Sequence, residues 1–294
     1  MGNNHQGKLD EAKALIDMAS EAGVDSVKFQ MRSMEALYGK QSNKRSVSQD
    51  LGVQYTSDLL SKFQLSDDDL FKAFDHCKLN EVEPICTPWD LESLKKLEDY
   101  GMEAYKVASA DFTNHELLRE LAKTHVPLIC STGMSTDDEI LESSELLKSL
   151  GVQGILLHCN STYPTPFKDV NLNYIRVLRK FGFDVGYSGH ERGNFIPLAA
   201  IALGASVIEK HITFNKDLDG NDTINFRDQN LIGYASNMPE LSYGMNFTYV
   251  VNNFNIWSNN IRLHIFKRTN YTESVNSINC CHNWYLFSKK IKQK

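Results

Sequence analysis

Residues 184–213 read DVGYSGHERGNFIPLAAIALGASVIEKHIT. Two short apolar runs, DVGYSG and SVIEKHIT, are separated by a segment in IPLAAIALG whose length and composition suit a helix. Consecutive strands joined by a helix run parallel, because parallel neighbours need a crossover of this kind. Each of the two strands ends by presenting a histidine, His190 and His211. At this point two readings stand side by side: ligands of one shared metal ion, or two unrelated hydrogen-bonded core residues.

Working outward from this unit, the same alternation recurs along the chain. LDEAKALIDMASEAG has apolar residues at helical spacing and stops at Gly23, and SVKFQ follows as a buried strand. After an irregular polar stretch near residues 33–56 come helices around 57–63 and 66–79, then the strand EPICTP. A helix in WDLESLKKLEDYG, a strand AYKVAS, a helix NHELLRELAKT and a strand VPLICST follow. STDDEILESSELLKSLG is a helix for which Ser135 and Asp138 offer a start, and GILLHCN and a helix in NLNYIRVLRKFG lead into residue 184. About seven strands alternate with helices, and near-continuous apolar strands are what a parallel sheet covered on both faces requires. The chain lacks the G-x-G-x-x-G turn of a doubly wound dinucleotide fold. An α/β fold of the (β/α)8 TIM barrel type, whose strand ends open onto one face, fits better.

At 294 residues and a net charge of −6, one large domain is the default, and no basic footprint for nucleic acid is present. The first residues, MGNNHQGKLDEAK, do not form a signal peptide and no run of eighteen apolar residues occurs, so a cytoplasmic location with no membrane partner is expected. The six cysteines are Cys77, Cys86, Cys130, Cys159 and the adjacent pair Cys280 and Cys281. Their spacing fits neither a zinc site nor a disulfide framework, so reduced and mostly buried thiols are expected.

The strand ends carry the chemistry. They close with Lys28 and Gln30; Thr87; Lys106 and Ser109; Ser131 and Thr132; Asn160 and Ser161; Ser188 and His190; Glu209, His211 and Thr213. Lys28 and Lys106 lie inside otherwise apolar strands, where an unpaired ammonium is costly to bury. A bound phosphate or carboxylate, completed by the hydroxyls of Thr87, Ser109, Ser131 and Ser188, would relieve that cost. Pairing with an internal carboxylate such as Asp111 would do so equally. Histidines with oxygen ligands suit Mn²⁺ or Mg²⁺ acting as a Lewis acid on a carbonyl, whereas His158, inside an apolar strand, is assigned to the core.

The stretches GNNHQGKLDEAKALIDMASEAGVDSVKFQ, ICTPWD, YKVASADFTN, LICSTGMS, HCNSTYPTPFKDVNLNYI, GYSGHERG and ALGASVIEKHITFNKDLDGND, in this order from residue 2 to about residue 222, resemble the sialic acid synthase family. That family condenses phosphoenolpyruvate with an N-acetylated hexosamine to make nonulosonic acids. The resemblance implies that His190 and His211 bind a divalent metal, Mn²⁺ ahead of Mg²⁺. It also implies that Lys28, Thr87, Lys106, Ser109, Ser131, Asn160 and Ser188 hold phosphoenolpyruvate, and that Gln30, Tyr163 and Asp222 face the sugar. Lys28 and Lys106 would offset anionic charge, and Glu209 is a candidate for proton transfer or sugar contact. N-acetylmannosamine is the reference acceptor, and the alternatives are a catalytically inactive barrel fragment or a related 3-deoxy sugar acid synthase.

Two departures from the family pattern are expected to matter. The apolar strand that delivers a glutamate just ahead of GNNH would precede Met1, so the first barrel strand is expected to be incomplete, leaving an unpaired edge. Residues 1–222 are therefore assigned to the barrel, and residues 223–294, crowded with Asn, Tyr, Ile, Phe and Lys, to a divergent tail such as an out-of-frame reading would give. The small antifreeze-like C-terminal domain of the family is expected to be absent, which weakens the case for the homodimer built around it.

Overall fold

The structure is a computed structural model that describes residues 2–38 and 57–214. The expectations for Asp222, for Cys280 and Cys281 and for the 223–294 tail lie outside the described residues.

Seven strands form one sheet: β1 Ser26–Met31, β2 Glu83–Pro88, β3 Tyr105–Val107, β4 Leu128–Ser131, β5 Gly154–Cys159, β6 Asp184–Gly189 and β7 Ile208–Lys210. All neighbouring pairs are parallel and the spatial order is the sequence order, β1 to β7. Strictly sequential order is the winding of a barrel wall and differs from a doubly wound sheet, whose order reverses at a switch point. The wall curls until its two ends meet: β1 and β7 are the outermost described strands, yet Lys28 Nζ lies 2.9 Å from Glu209 Oε1. Above them, Asn4 Nδ2 donates to the backbone carbonyl of Ile212 at 2.7 Å, tying the N-terminal turn to the chain beyond β7. No eighth strand occurs among the described residues.

The helices are α1 Leu9–Glu21, α2 Met34–Tyr38, α3 Ser57–Phe63, α4 Asp67–Leu79, α5 Leu91–Tyr100, α6 His115–Lys123, α7 Asp137–Ser149, α8 Tyr174–Leu178 and α9 Phe195–Ala202. Their starts follow local side-chain chemistry. Ser66, Asp90, Asn114 and Thr136 each accept a backbone N–H of the first turn, and Thr136 forms a reciprocal capping box with Glu139. The box sits one residue past the expected Ser135 and Asp138 start, because the N-cap must lie three residues before its glutamate. Gly101 ends α5 at φ 85°, a conformation that costs a side-chain-bearing residue energy.

Alternation along the strands divides the side chains between two faces. Val27, Phe29, Met31, Cys86, Tyr105, Val107, Leu128, Cys130, Leu156, Val185 and Tyr187 join Ala12, Leu15, Ile16, Phe74, Leu97, Leu118, Leu121, Ile140 and Ile175 of the helices in one continuous core. His158 has the same parity: it is buried, shares a hydrogen bond of 2.7 Å with the carbonyl of Val170 and packs on the rings of Tyr174 and Tyr187. Cys77, Cys86, Cys130 and Cys159 are free and buried, and burial pushes the Cys77 and Cys130 thiols up to about 12. No helix among the described residues is long and apolar enough to cross a membrane.

Candidate active site

The opposite parity, on the concave face, gathers the polar residues anticipated at the strand ends. Glu209 is the hub. Its Oε1 accepts from Lys28 Nζ at 2.9 Å and from Ser188 Oγ at 3.0 Å, so β1, β6 and β7 converge on one carboxylate. Burial alone would raise the Glu209 carboxyl, but the ammonium groups of Lys28 and Lys106, with His211, outweigh it and hold the group well below the usual carboxylate range. Lys28 therefore does have an internal carboxylate partner, and the partner is Glu209 where Asp111 had been considered. Burial instead raises Asp111, whose Oδ2 has no hydrogen-bond partner.

Lys106 is held differently. It is 2% exposed and donates to Ser131 Oγ at 2.6 Å and to the carbonyl of Val107 at 2.8 Å. Both contacts are neutral acceptors, so its charge is solvated without a directly bonded anion, and burial pushes its pKa down against the opposing pull of Glu209. Ser109 Oγ accepts from the backbone N–H of Gly133 at 3.2 Å and shares a contact of 3.2 Å with Cys159 Sγ. Gly133 is required there, since a Cβ would sit 2.6 Å from Cys159 Sγ and 2.8 Å from its carbonyl oxygen. Thr87, buried at the end of β2, stands opposite Gln30 in the β1–β2 register. Gln30 Oε1 accepts from the Arg32 guanidinium, which lies 5.3 Å from the Trp89 ring centroid.

His190 and His211 follow β6 and β7 directly, and their ring centroids are 5.4 Å apart. Tyr163 completes the group: its ring stacks on His190 at 4.0 Å and meets His211 edge-on at 5.7 Å. His190 Nδ1 lies 2.6 Å from the Asn160 carbonyl, which can only accept, so the proton is on Nδ1. Nε2 is then the lone-pair nitrogen and accepts from Tyr163 Oη at 2.8 Å. Burial, and then His211, push His190 down to about 3, which keeps the imidazole neutral. A neutral ring with its proton on an anchored Nδ1 and its lone pair on Nε2, here bonded to Tyr163 Oη, is the tautomer a metal-binding histidine needs. The pair thus fits two positions of a divalent metal site, although no group of three or more His, Cys, Asp or Glu side chains that could hold a metal occurs among the described residues.

The structure therefore brings together Lys28, Lys106, Ser131, Ser188, Glu209, His190, His211 and Tyr163. Asn160 stands apart from the expected role: its side chain donates to the Asp169 carbonyl at 3.3 Å and accepts from Thr162 N–H at 2.8 Å, shaping the loop after β5. Its carbonyl is the group in contact with His190. Sequence reasoning missed that carbonyl, and it missed Arg32, which is 8% exposed beside Gln30. An arginine two residues beyond Gln30, with the parity of the mouth, was the available signal for the latter.

Comparison with known proteins bears on the family and the fold. A model of the NeuB family matches residues 15–229. The chain is 39% identical over 227 residues to the N,N'-diacetyllegionaminic acid synthase of Campylobacter jejuni, covering 75% of this chain and 68% of that one. It is 33% identical over 233 residues to the N-acetylneuraminate-9-phosphate synthase of Homo sapiens, covering 76% and 63%. The crystal structure of N-acetylneuraminic acid (sialic acid) synthetase from Leptospira borgpetersenii in complex with citrate has a TM-score of 0.69 at 31% identity, over 77% of this chain and 76% of that chain. The chain spans about two thirds of the length of the curated relatives it matches. By the family model and by these relatives, the chain belongs to the NeuB family.

Proposed function

We propose that this chain condenses phosphoenolpyruvate with an N-acetylated hexosamine, of the N-acetylmannosamine type, to give a nonulosonic acid and phosphate. The observation that carries the reading is the convergence of Lys28, Lys106, Ser131 and Ser188 beside two histidines, His190 and His211, on one face of the barrel wall. A donor set with two ammonium groups suits a ligand bearing both phosphate and carboxylate. The relatives are named as synthases of legionaminic, pseudaminic and N-acetylneuraminic acid types, and the Leptospira synthetase was crystallised with citrate, a polycarboxylate.

In this reaction C3 of phosphoenolpyruvate bonds to the aldehyde carbon of the open-chain sugar, whose oxygen takes up a proton. Water adds at C2, and the C2–O bond to phosphate breaks as the C2 carbonyl forms. Lys28 and Lys106 orient the two anionic groups and offset their charge. Glu209, ion-paired with Lys28 and kept ionised by its neighbours, is the candidate carboxylate for proton transfer or for contact with the sugar. His190 and His211 would hold a divalent ion, Mn²⁺ or Mg²⁺, which supplies Lewis-acid polarisation of the aldehyde when bound. Gln30 and Tyr163 would meet the sugar hydroxyls.

The test is product analysis by mass spectrometry. Purified chain is supplied with phosphoenolpyruvate, Mn²⁺ and, separately, N-acetylmannosamine, its 6-phosphate and a diacetamido-trideoxyhexose. A product carrying the three-carbon acid from one acceptor, lost in Lys106→Met, is the expected result. Folded chain that makes no such product from any of the three overturns the proposal.

A further inference from the structure

A second polar cluster lies next to the two histidines in sequence, on the other side of the same strands. Glu191 follows His190 and is fully buried at 0% exposure, while Lys210 precedes His211 at 7%. Lys210 Nζ donates to Glu191 Oε1 at 2.8 Å and to the Glu191 carbonyl at 2.7 Å, and Tyr187 Oη donates to Glu191 Oε2 at 2.5 Å. Alternation puts Tyr187, Glu191 and Lys210 on the convex face, away from Glu209, Ser188 and the histidine rings. The room for the carboxylate is made by Gly189: a Cβ there would lie 2.8 Å from both Glu191 oxygens and 2.9 Å from the Tyr187 ring.

We propose that Glu191 and Lys210 are positioning residues that lock the ends of β6 and β7 together and so set the separation and aim of His190 and His211. The need for such a lock follows from the topology. β7 is three residues long, pairs through Tyr187↔Ile208, Ser188↔Glu209 and Gly189↔Lys210, and is the last strand of the described sheet. Among the described residues β7 has a ladder on one side alone, and a short strand held in that way is free to pivot at its end unless side chains fix it. Inside, Ser188 ties β6 to β7 through Glu209; outside, Lys210 ties them through Glu191. The two ties bracket His211 from both faces. A buried ion pair is weak evidence for stability, since its desolvation offsets its attraction, and fixing one geometry is its better-attested use. The consequence for metal affinity rests on the reading of the histidines as ligands; the positional claim does not.

The experiment uses the full chain labelled with ¹⁵N-histidine, comparing wild type with Glu191→Gln/Lys210→Met, Lys210→Arg, Tyr187→Phe and His211→Ala. Single loss of either charge would strand its partner in the core, so both are removed together. Ring ¹⁵N shifts are recorded without metal, and Mn²⁺ affinity is read from the free-ion EPR signal. The double variant is expected to move the His190 and His211 ring signals while leaving His115 in place, and to weaken Mn²⁺ binding about tenfold or more, the range for lost partners behind a metal ligand. Lys210→Arg, which keeps charge and donors, is expected to restore both. If the double variant does not fold, Tyr187→Phe decides, by whether the same two signals move. Ring signals of His190 and His211 that coincide with wild type in a folded variant overturn the proposal. Wild-type Mn²⁺ binding no better than that of His211→Ala removes the metal reading instead, and the ring shifts still decide the positional claim.

Discussion

Replacing Lys28 by Met keeps most of the side-chain stem and removes the ammonium that stands 2.9 Å from Glu209 Oε1. At that separation and an effective dielectric of about 20, the attraction is about 6 kcal/mol before desolvation is counted. Each side chain is 21% exposed, so the pair lies between a surface pair, worth under about 1 kcal/mol, and a sealed one, where losing a partner costs about 3–5 kcal/mol. Ser188 Oγ, 3.0 Å from the same oxygen, and Lys106 remain to hold the carboxylate. The expected loss is about 2 kcal/mol, which for a folded unit of this size lowers Tm by about 4–8 °C. The pH dependence gives the argument its sign. Glu209 has a folded pKa below its ordinary value of 4.5, so its contribution is complete above pH 4.5 and drains away as pH falls through the folded value. Without Lys28 the burial is less fully outweighed, the folded pKa climbs and that contribution shrinks. Thermal unfolding followed by circular dichroism should therefore show the full deficit at pH 7 and a smaller one at acidic pH below the ordinary value. An unchanged Tm at neutral pH, or a deficit that does not shrink on acidification, would refute the reasoning.

Three further outcomes follow from the same structure. Lys106→Met should leave Tm at or above that of wild type while abolishing phosphoenolpyruvate binding in calorimetry, because a buried ammonium with only Ser131 Oγ and a carbonyl as partners is a cost kept for a ligand; a Tm loss matching that of Lys28→Met would contradict this. Gly189→Ala should cost about 1–3 kcal/mol by urea unfolding, since its Cβ would press both Glu191 oxygens at 2.8 Å; a neutral result would mean that the carboxylate has room to move. Burial holds His158 below its ordinary value of 6.5, so the unfolded chain takes up the proton first and stability should fall as pH drops below 6.5. His158→Gln, which can still donate to the Val170 carbonyl, should flatten part of that slope in urea midpoints measured on either side of 6.5, and an unaltered slope would show that the ring is not the group responsible.

The wall of the barrel was legible because each strand is apolar on the parity that meets the helices, as in Val27, Phe29 and Met31, and polar on the parity that lines the concave face, as in Lys28 and Gln30. The same two-residue period put His190 beside Ser188 and His211 beside Glu209. Partners were harder to read than positions. Lys28 and Glu209 are 181 residues apart in sequence, and nothing local says that the two ends of the described sheet face each other; closure of the wall decides it. The Asn160 carbonyl was invisible for another reason: backbone acceptors leave no mark in composition, and only the loop built by its own side chain aims it at His190. Glu191 and Lys210 carried no signal in the sequence reading, because the burial of the Glu191 carboxylate depends on the space left by Gly189, which no residue type announces.

The central claim is that the strand ends form one site for a phosphorylated carboxylate and a divalent ion. Phosphate release by the purified full chain, given phosphoenolpyruvate, N-acetylmannosamine and Mn²⁺, tests it most directly, with the His190→Ala/His211→Ala variant run beside it. The account predicts release that requires both the sugar and the metal and disappears in the variant. Release that persists in the variant, or none at all from folded wild-type chain, would contradict it.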